Sequence, residues 1–210
     1  MTIVIVANGE MKNMDYVRDT LKNADYIIAC DGGLRHCDKA SIIPDIIVGD
    51  MDSADSGLLK KYGHVSSERY ASEKEQTDLE IALEHACKMN PEEIIIICAL
   101  GGRFDHQLAN IHVMIRPLDA GINTLLCDEN HRITLTKNKY NLDAKYGKTV
   151  TLMPLTTSVK NIQTKGLKYP LKDEELIFGF SRGVSNEIVD VTASVSVGSG
   201  ILIIIQVNDN

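Results

Sequence analysis

The hydrophobic pattern of the chain changes once along its length. Up to about residue 130, short apolar runs alternate with stretches of helical spacing. Residues 3–7, 26–30, 46–48, 93–99 and 124–127 are apolar almost throughout, as strands buried on both faces are. Between them Met14, Val17 and Leu21 recur at helical intervals, as do Leu79, Ala82, Leu83 and Ala86. Leu108, Ile111 and Ile115 predict a further helix that ends before Pro117, and shorter helical pieces fit residues 34–39 and the surroundings of Leu58 and Leu59. Repeated strand–helix alternation predicts an α/β domain over residues 1–130, with a mostly parallel sheet flanked by helices. Beyond about Asp128 the helical spacing gives way to alternation. Val189, Val191, Ala193, Val195 and Val197 are separated by Asp190, Thr192, Ser194 and Ser196, the period of a half-buried strand. Gly198-Ser199-Gly200 is expected to turn that strand back into residues 201–207 as a hairpin. Residues 150–155 and 166–171 read as further strands, giving a small all-β domain over residues 131–210.

Composition removes several classes of function. A net charge of -7 without a Lys/Arg cluster argues against a nucleic-acid footprint. The longest apolar runs, at residues 94–100 and 201–205, fall far short of the roughly 18–20 residues of a membrane span. No basic leader precedes the first apolar run, which reads as a strand and not as a signal peptide. The five cysteines are odd in number and form no C-x-x-C pair, so a reducing, cytoplasmic setting is expected.

Candidate chemistry gathers behind the expected strands, where open parallel sheets bind ligands. Asp50 and Asp52 follow the apolar run 46–48 at alternate positions. In an extended segment they point to one side and repel each other unless a cation lies between them. Mg²⁺, an oxygen-seeking ion that also reaches substrate phosphates, suits that place; the alternative is a solvated turn in which Ser53 caps the next helix. Asp31-Gly32-Gly33 and Gly101-Gly102-Arg103-Phe104-Asp105-His106 end two other apolar runs. Paired glycines let backbone N–H groups approach a phosphate, and Arg103 could neutralise its oxygens. The competing reading is a tight turn, with Asp105 a plain helix cap and His106 a structural first-turn residue. Thr77 and Glu80 form a capping box that makes Asp78 the first residue of a helix. Lys74, just ahead of it, could reach a phosphate or stay in solvent.

In order and spacing these segments resemble the thiamine pyrophosphokinases: Asp31-Gly32-Gly33, Gly49-Asp50-Met51-Asp52-Ser53, Glu73-Lys74-Glu75-Gln76-Thr77-Asp78 and Gly101-Gly102-Arg103-Phe104-Asp105-His106. Gly166-Leu167-Lys168-Tyr169 and Ser185-Asn186 resemble that family's thiamine-side motifs. Two positions depart from the pattern: Glu75, where the family often has Asp, and Tyr169, where some members carry Trp. The resemblance implies a homodimer with a Rossmann-like ATP-binding domain and a thiamine-binding β-sandwich. The implied reaction converts ATP and thiamine to AMP and thiamine diphosphate with Mg²⁺. On that basis Asp31, Asp50, Asp52 and Asp78 are expected to bind Mg²⁺, directly or through waters, and Arg103 and Lys74 to hold phosphates. Asp50, Asp52, Asp78 and Arg103 form the expected catalytic set. Gly32, Gly33, Gly101, Gly102, Asp105, His106 and Gln107 are expected around the nucleotide, and Ser53, Tyr169, Ser185 and Asn186 around thiamine. A Mg²⁺-dependent phosphohydrolase and a non-catalytic nucleotide or thiamine sensor are the alternative functions.

Overall fold

The structure, a computed structural model, describes residues 1–52, 55–70 and 75–209. The chain divides into two compact units, Met1–Glu129 and Asn130–Asn210. The first unit alternates strands and helices in the order β1 (Thr2–Val6), α1 (Met14–Lys22), β2 (Tyr26–Cys30), α2 (Leu34–Ala40), β3 (Ile46–Gly49), α3 (Ser56–Lys61) and β4 (Ser66–Arg69). It continues with α4 (Asp78–Lys88), β5 (Glu93–Ile97), α5 (Phe104–Val113), α6 (Ile115–Asp119) and β6 (Asn123–Cys127). The strands lie in the order β6-β5-β1-β2-β3-β4, and every pairing among them is parallel. The order reverses between β1 and β5, so the loops that follow these two strands part there. β1, at that central place, has Ile3, Val4, Ile5 and Val6 fully buried, which accounts for its unbroken apolar run.

Three features of this unit differ from the hydrophobic pattern. β4 carries the polar sequence Ser-Ser-Glu-Arg and has no buried residue; it is an edge strand held by backbone pairing to β3 and leaves no apolar signature. Pro117 does not follow the helical segment but sits buried in α6. It occupies the third helical position, where a backbone N–H has no intrahelical partner to lose. The expected stripe of Leu108, Ile111 and Ile115 is only partly buried and is split between two helices: Leu108 is 47% exposed, Ile111 is half-buried, and the half-buried Ile115 opens α6.

The second unit packs two antiparallel sheets. One takes the order β12 (Asn186–Glu187), β9 (Thr149–Pro154), β14 (Leu202–Val207), β7 (His131–Thr136). The other takes the order β11 (Lys172–Ile177), β10 (Ser158–Lys165), β13 (Ala193–Ser196), β8 (Tyr140–Leu142). Val150, Leu152, Val159, Ile162, Val195, Leu202 and Ile204 form the core of this unit. The expected strand over 189–197 shrinks to β13, with Val189 and Val191 exposed. Asp190 Oδ1 accepts the Thr192 N–H at 3.1 Å, a local turn that competes with strand pairing. The expected hairpin is absent as well. β13 pairs with β10 and β8, while β14 pairs with β7 and β9, so Gly198-Ser199-Gly200 carries the chain from one sheet to the other. Residues 166–171 form a loop with a single bridge, Leu167 to Ile188, instead of a strand.

Candidate active site

Asp31, Asp50 and Asp78 come from three separate places in the sequence, each at the carboxyl edge of the first unit's sheet. Asp31 follows β2, is buried, and takes a positive φ of +38°. Asp50 follows β3. Asp78 opens α4, whose N-cap Thr77 accepts the Glu80 N–H at 3.2 Å. Asp in that first turn is favoured by the helix dipole. One carboxylate oxygen from each of the three lies within 4.8 Å of the others. Gly49 permits the approach. It takes φ +150°, and a Cβ there would stand 2.8 Å from the Asp31 Cβ. Three clustered carboxylates repel one another, and their all-oxygen donor set fits a hard divalent cation such as Mg²⁺.

Asp52 is placed differently from the sequence expectation. Met51 takes φ +66°, so the segment turns instead of continuing extended, and Asp50 and Asp52 do not share one side. Asp52 is exposed, and its backbone N–H donates to Asp50 Oδ1 at 3.2 Å. It lies outside the three-carboxylate group formed among the described residues.

A cavity of about 550 Å³ opens beside this group, lined by Asp31, Asp78, Gly101, Gly102, Arg103 and His106 among others. It lies where the strand order reverses, the usual place for a ligand on such a sheet. Arg103 stands at the N-cap position of α5 and donates from Nε and Nη2 to the two carboxylate oxygens of Asp105, at 3.1 and 2.6 Å. That pairing holds the Asp105 pKa down, at about 2. Both side chains are exposed, and the guanidinium can exchange this partner for a phosphate. The Gln107 amide donates to the Gly102 carbonyl at 3.2 Å and closes the turn. Gly102 itself takes φ +90°, a conformation glycine adopts without strain. Ser53 and Lys74 lie outside the described residues.

Sequence reasoning passed over the loop behind β1. Asn8, Gly9 and Glu10 line the same cavity, as does Asn110, whose amide donates to the Ala99 carbonyl at 2.9 Å. The signal was present: Asn8-Gly9 directly follows an apolar run, as the other site segments do. Cys30 and Cys98 also line the cavity. Burial pushes the Cys98 thiol up to about 12, so it is held as a thiol.

In the second unit Asn186 is buried and acts on the backbone of Tyr169. Its Oδ1 accepts the Tyr169 N–H at 3.0 Å, and its Nδ2 donates to the Tyr169 carbonyl at 2.7 Å. The Tyr169 side chain is left 62% exposed, with the Lys168 ammonium 5.9 Å from its ring centre. Ser185 is exposed, takes φ +57°, and donates its N–H to Thr151 Oγ1 at 3.1 Å.

Comparison with known proteins follows the same division of the chain. The catalytic domain model of thiamin pyrophosphokinase matches residues 17–126, and the vitamin B1 binding domain model of thiamin pyrophosphokinase matches residues 130–202. The thiamine pyrophosphokinase of Bacillus subtilis is 29% identical over 212 residues, spanning 99% of this chain and 99% of its own. A crystal structure of thiamine pyrophosphokinase from Bacillus subtilis superposes with a TM-score of 0.90 at 28% identity, covering 100% of both chains. That of the thiamin pyrophosphokinase from Geobacillus thermodenitrificans gives 0.87 at 25% identity, covering 100% of this chain and 99% of its own. A catalytic model that spans more than half of the sequence, with a second model over most of the remainder, makes this chain a member of the thiamin pyrophosphokinase family.

Proposed function

We propose that the protein transfers the diphosphoryl group of ATP to the hydroxyl of thiamine, releasing AMP and thiamine diphosphate. The observation that carries this reading is the convergence of Asp31, Asp50 and Asp78 beside a glycine-walled cavity, in a chain that matches a catalytic and a vitamin B1 binding model. The thiamine oxygen bonds to the β-phosphorus, the bond from that phosphorus to the α-phosphate oxygen breaks, and the hydroxyl proton passes to an aspartate. Such transfers rely on positioning and charge neutralisation more than on covalent help from the protein. Asp31, Asp50 and Asp78 would hold Mg²⁺, which when bound supplies positive charge against the phosphate oxygens. Asp52 supports Asp50 through its backbone N–H. Arg103 and Lys74 hold phosphate oxygens. Gly102, with open space at its Cβ position, lets backbone come close to the nucleotide, while Gly32, Gly33 and Gly101 make room for β1 and the loop behind it, which pack beside them. Asp105 keeps Arg103 oriented until phosphate arrives, and His106 and Gln107 shape the cavity wall. Tyr169, Ser185 and Ser53 contact thiamine, with Asn186 fixing the Tyr169 backbone.

In this reading residues 1–130 form the ATP-binding catalytic domain and residues 131–210 the thiamine-binding domain. The enzyme works as a homodimer, to which the exposed Phe104, Leu108, Phe178 and Phe180 offer apolar contact surface. It resides in the cytoplasm, where its five free cysteines stay reduced.

The test is product analysis by mass after incubation with ATP and Mg²⁺, with and without thiamine. Thiamine-dependent AMP in equal amount with thiamine diphosphate is expected. ADP or free phosphate formed regardless of thiamine would refute the transfer and favour a phosphohydrolase.

A further inference from the structure

We propose that Arg35 and His36 are positioning residues that grip the loop behind β1 and so set one wall of the nucleotide cavity; this rests on the reading that the cavity takes ATP. The two are adjacent on α2, just past the Asp31-Gly32-Gly33 turn, and they reach successive carbonyls. Arg35 Nη2 donates to the Asn8 oxygen at 2.7 Å, and His36 Nε2 lies 2.9 Å from the Gly9 oxygen. A carbonyl oxygen only accepts, so Nε2 carries the hydrogen.

The side chain of His36 is buried, and its Nδ1 is buried with no hydrogen-bond partner among the described residues. An apolar residue of similar size would fill the same space without that desolvation cost. What the imidazole adds is the hydrogen bond from Nε2, which goes to a residue of the cavity wall.

The loop is held from its other side as well. The Gly9 N–H donates to the Cys98 carbonyl at 2.7 Å. A Cβ on Gly9 would stand 2.6 Å from that same oxygen, and one on Gly101 would stand 2.3 Å from the Glu10 oxygen. The Asn8 side chain occupies the space above Gly32, where a Cβ would come within 2.4 Å of its amide. The loop is therefore wedged between the turn that carries Asp31 and the turn that precedes Arg103. Displacements of roughly half an ångström suffice to spoil such a site, and Arg35 with His36 supplies the hold on the β2 side.

Calorimetric binding of the Mg²⁺ complex of α,β-methylene ATP to the full chain tests this, with thiamine binding measured in parallel. His36→Leu should weaken analogue binding about fivefold, the order of one neutral hydrogen bond, and leave thiamine binding within about twofold. His36→Gln, whose amide can donate to the Gly9 carbonyl, should restore most of the loss. Arg35 is exposed, so Arg35→Met is expected to fold even where the histidine variants do not, and it should show a loss of similar size that persists at high salt. Unchanged analogue binding by folded His36→Leu and Arg35→Met would overturn the proposal. So would equal losses for analogue and thiamine, an arginine effect that vanishes with salt, or a glutamine variant no better than leucine. Failure of the wild-type protein to bind the analogue would instead remove the ATP reading, and the clamp with it.

Discussion

Replacing Asp50 with asparagine should stabilise the metal-free protein while removing its response to Mg²⁺. The two effects have opposite signs, and no simple packing defect produces both. At the 4.8 Å limit of the carboxylate group, two unit charges repel by about 0.9 kcal/mol in water and about 3.5 kcal/mol at an effective dielectric constant of about 20. Asp50 faces two such neighbours, Asp31 and Asp78, and is itself only partly buried. The solvent-screened value therefore governs, and relief of two pairs gives about 2 kcal/mol. Asparagine has nearly the same volume and keeps an Oδ1 to accept the Asp52 N–H, so that hydrogen bond is retained. In the wild type, Mg²⁺ at about a hundredfold excess over its dissociation constant should add about 2.7 kcal/mol. Urea unfolding in EDTA and in excess Mg²⁺, for both proteins, measures all four stabilities. A metal-free variant less stable than the wild type would refute the repulsion argument. An equal gain from Mg²⁺ in both proteins would refute the assignment of Asp50 as a ligand.

Other consequences are open to measurement. Thr77→Ala removes the acceptor for the Glu80 N–H at the start of α4 and should cost about 1 kcal/mol of stability by urea titration, with a fall in kcat because Asp78 is the next residue; unchanged kcat would separate the cap from the site. Tyr169→Ala should raise the KM for thiamine more than that for ATP, whereas Asn186→Ala should also lower the melting temperature, since it removes a buried amide that bonds the Tyr169 N–H and carbonyl and the Glu187 N–H. Equal KM effects of Tyr169→Ala on both substrates would make the ring a packing element. Burial holds the His36 pKa below its ordinary 6.5. The unfolded chain thus takes up a proton near pH 6.5 that the folded chain refuses, and stability should fall as pH drops through that value. The loss should be shallower in His36→Gln, and parallel pH profiles would show that the group does not couple to folding.

The alternating apolar runs and helical stripes were enough to place the parallel sheet, because a strand buried on both faces carries no polar residue to blur it. Residues 27–30 and 125–127 are such runs. The edge strand β4 was illegible because its stability comes from backbone pairing, which any sequence can supply. In the second unit the alternation of residues 189–197 was real but misleading. Period alone cannot tell a paired strand from an exposed turn, and Val191, at 97% exposure, lies on the turn. The Gly198-Ser199-Gly200 turn was legible as a turn, yet whether it joins two strands of one sheet or passes between sheets depends on the partners of β13 and β14, which lie elsewhere in the chain.

For the site, the sequence by itself determined which residue types stand at the strand ends and that they resemble thiamine pyrophosphokinases, because acids and glycines after apolar runs are a local signal. Only the tertiary structure decided which acids meet. Asp50 joins Asp31 and Asp78, residues 19 and 28 positions away, and not Asp52 two positions away. The physical reason is the positive φ of Met51 together with the parallel pairing of β2 and β3. The turn swings Asp52 out of line, and strand register carries Asp31 in, past a glycine that leaves room for it.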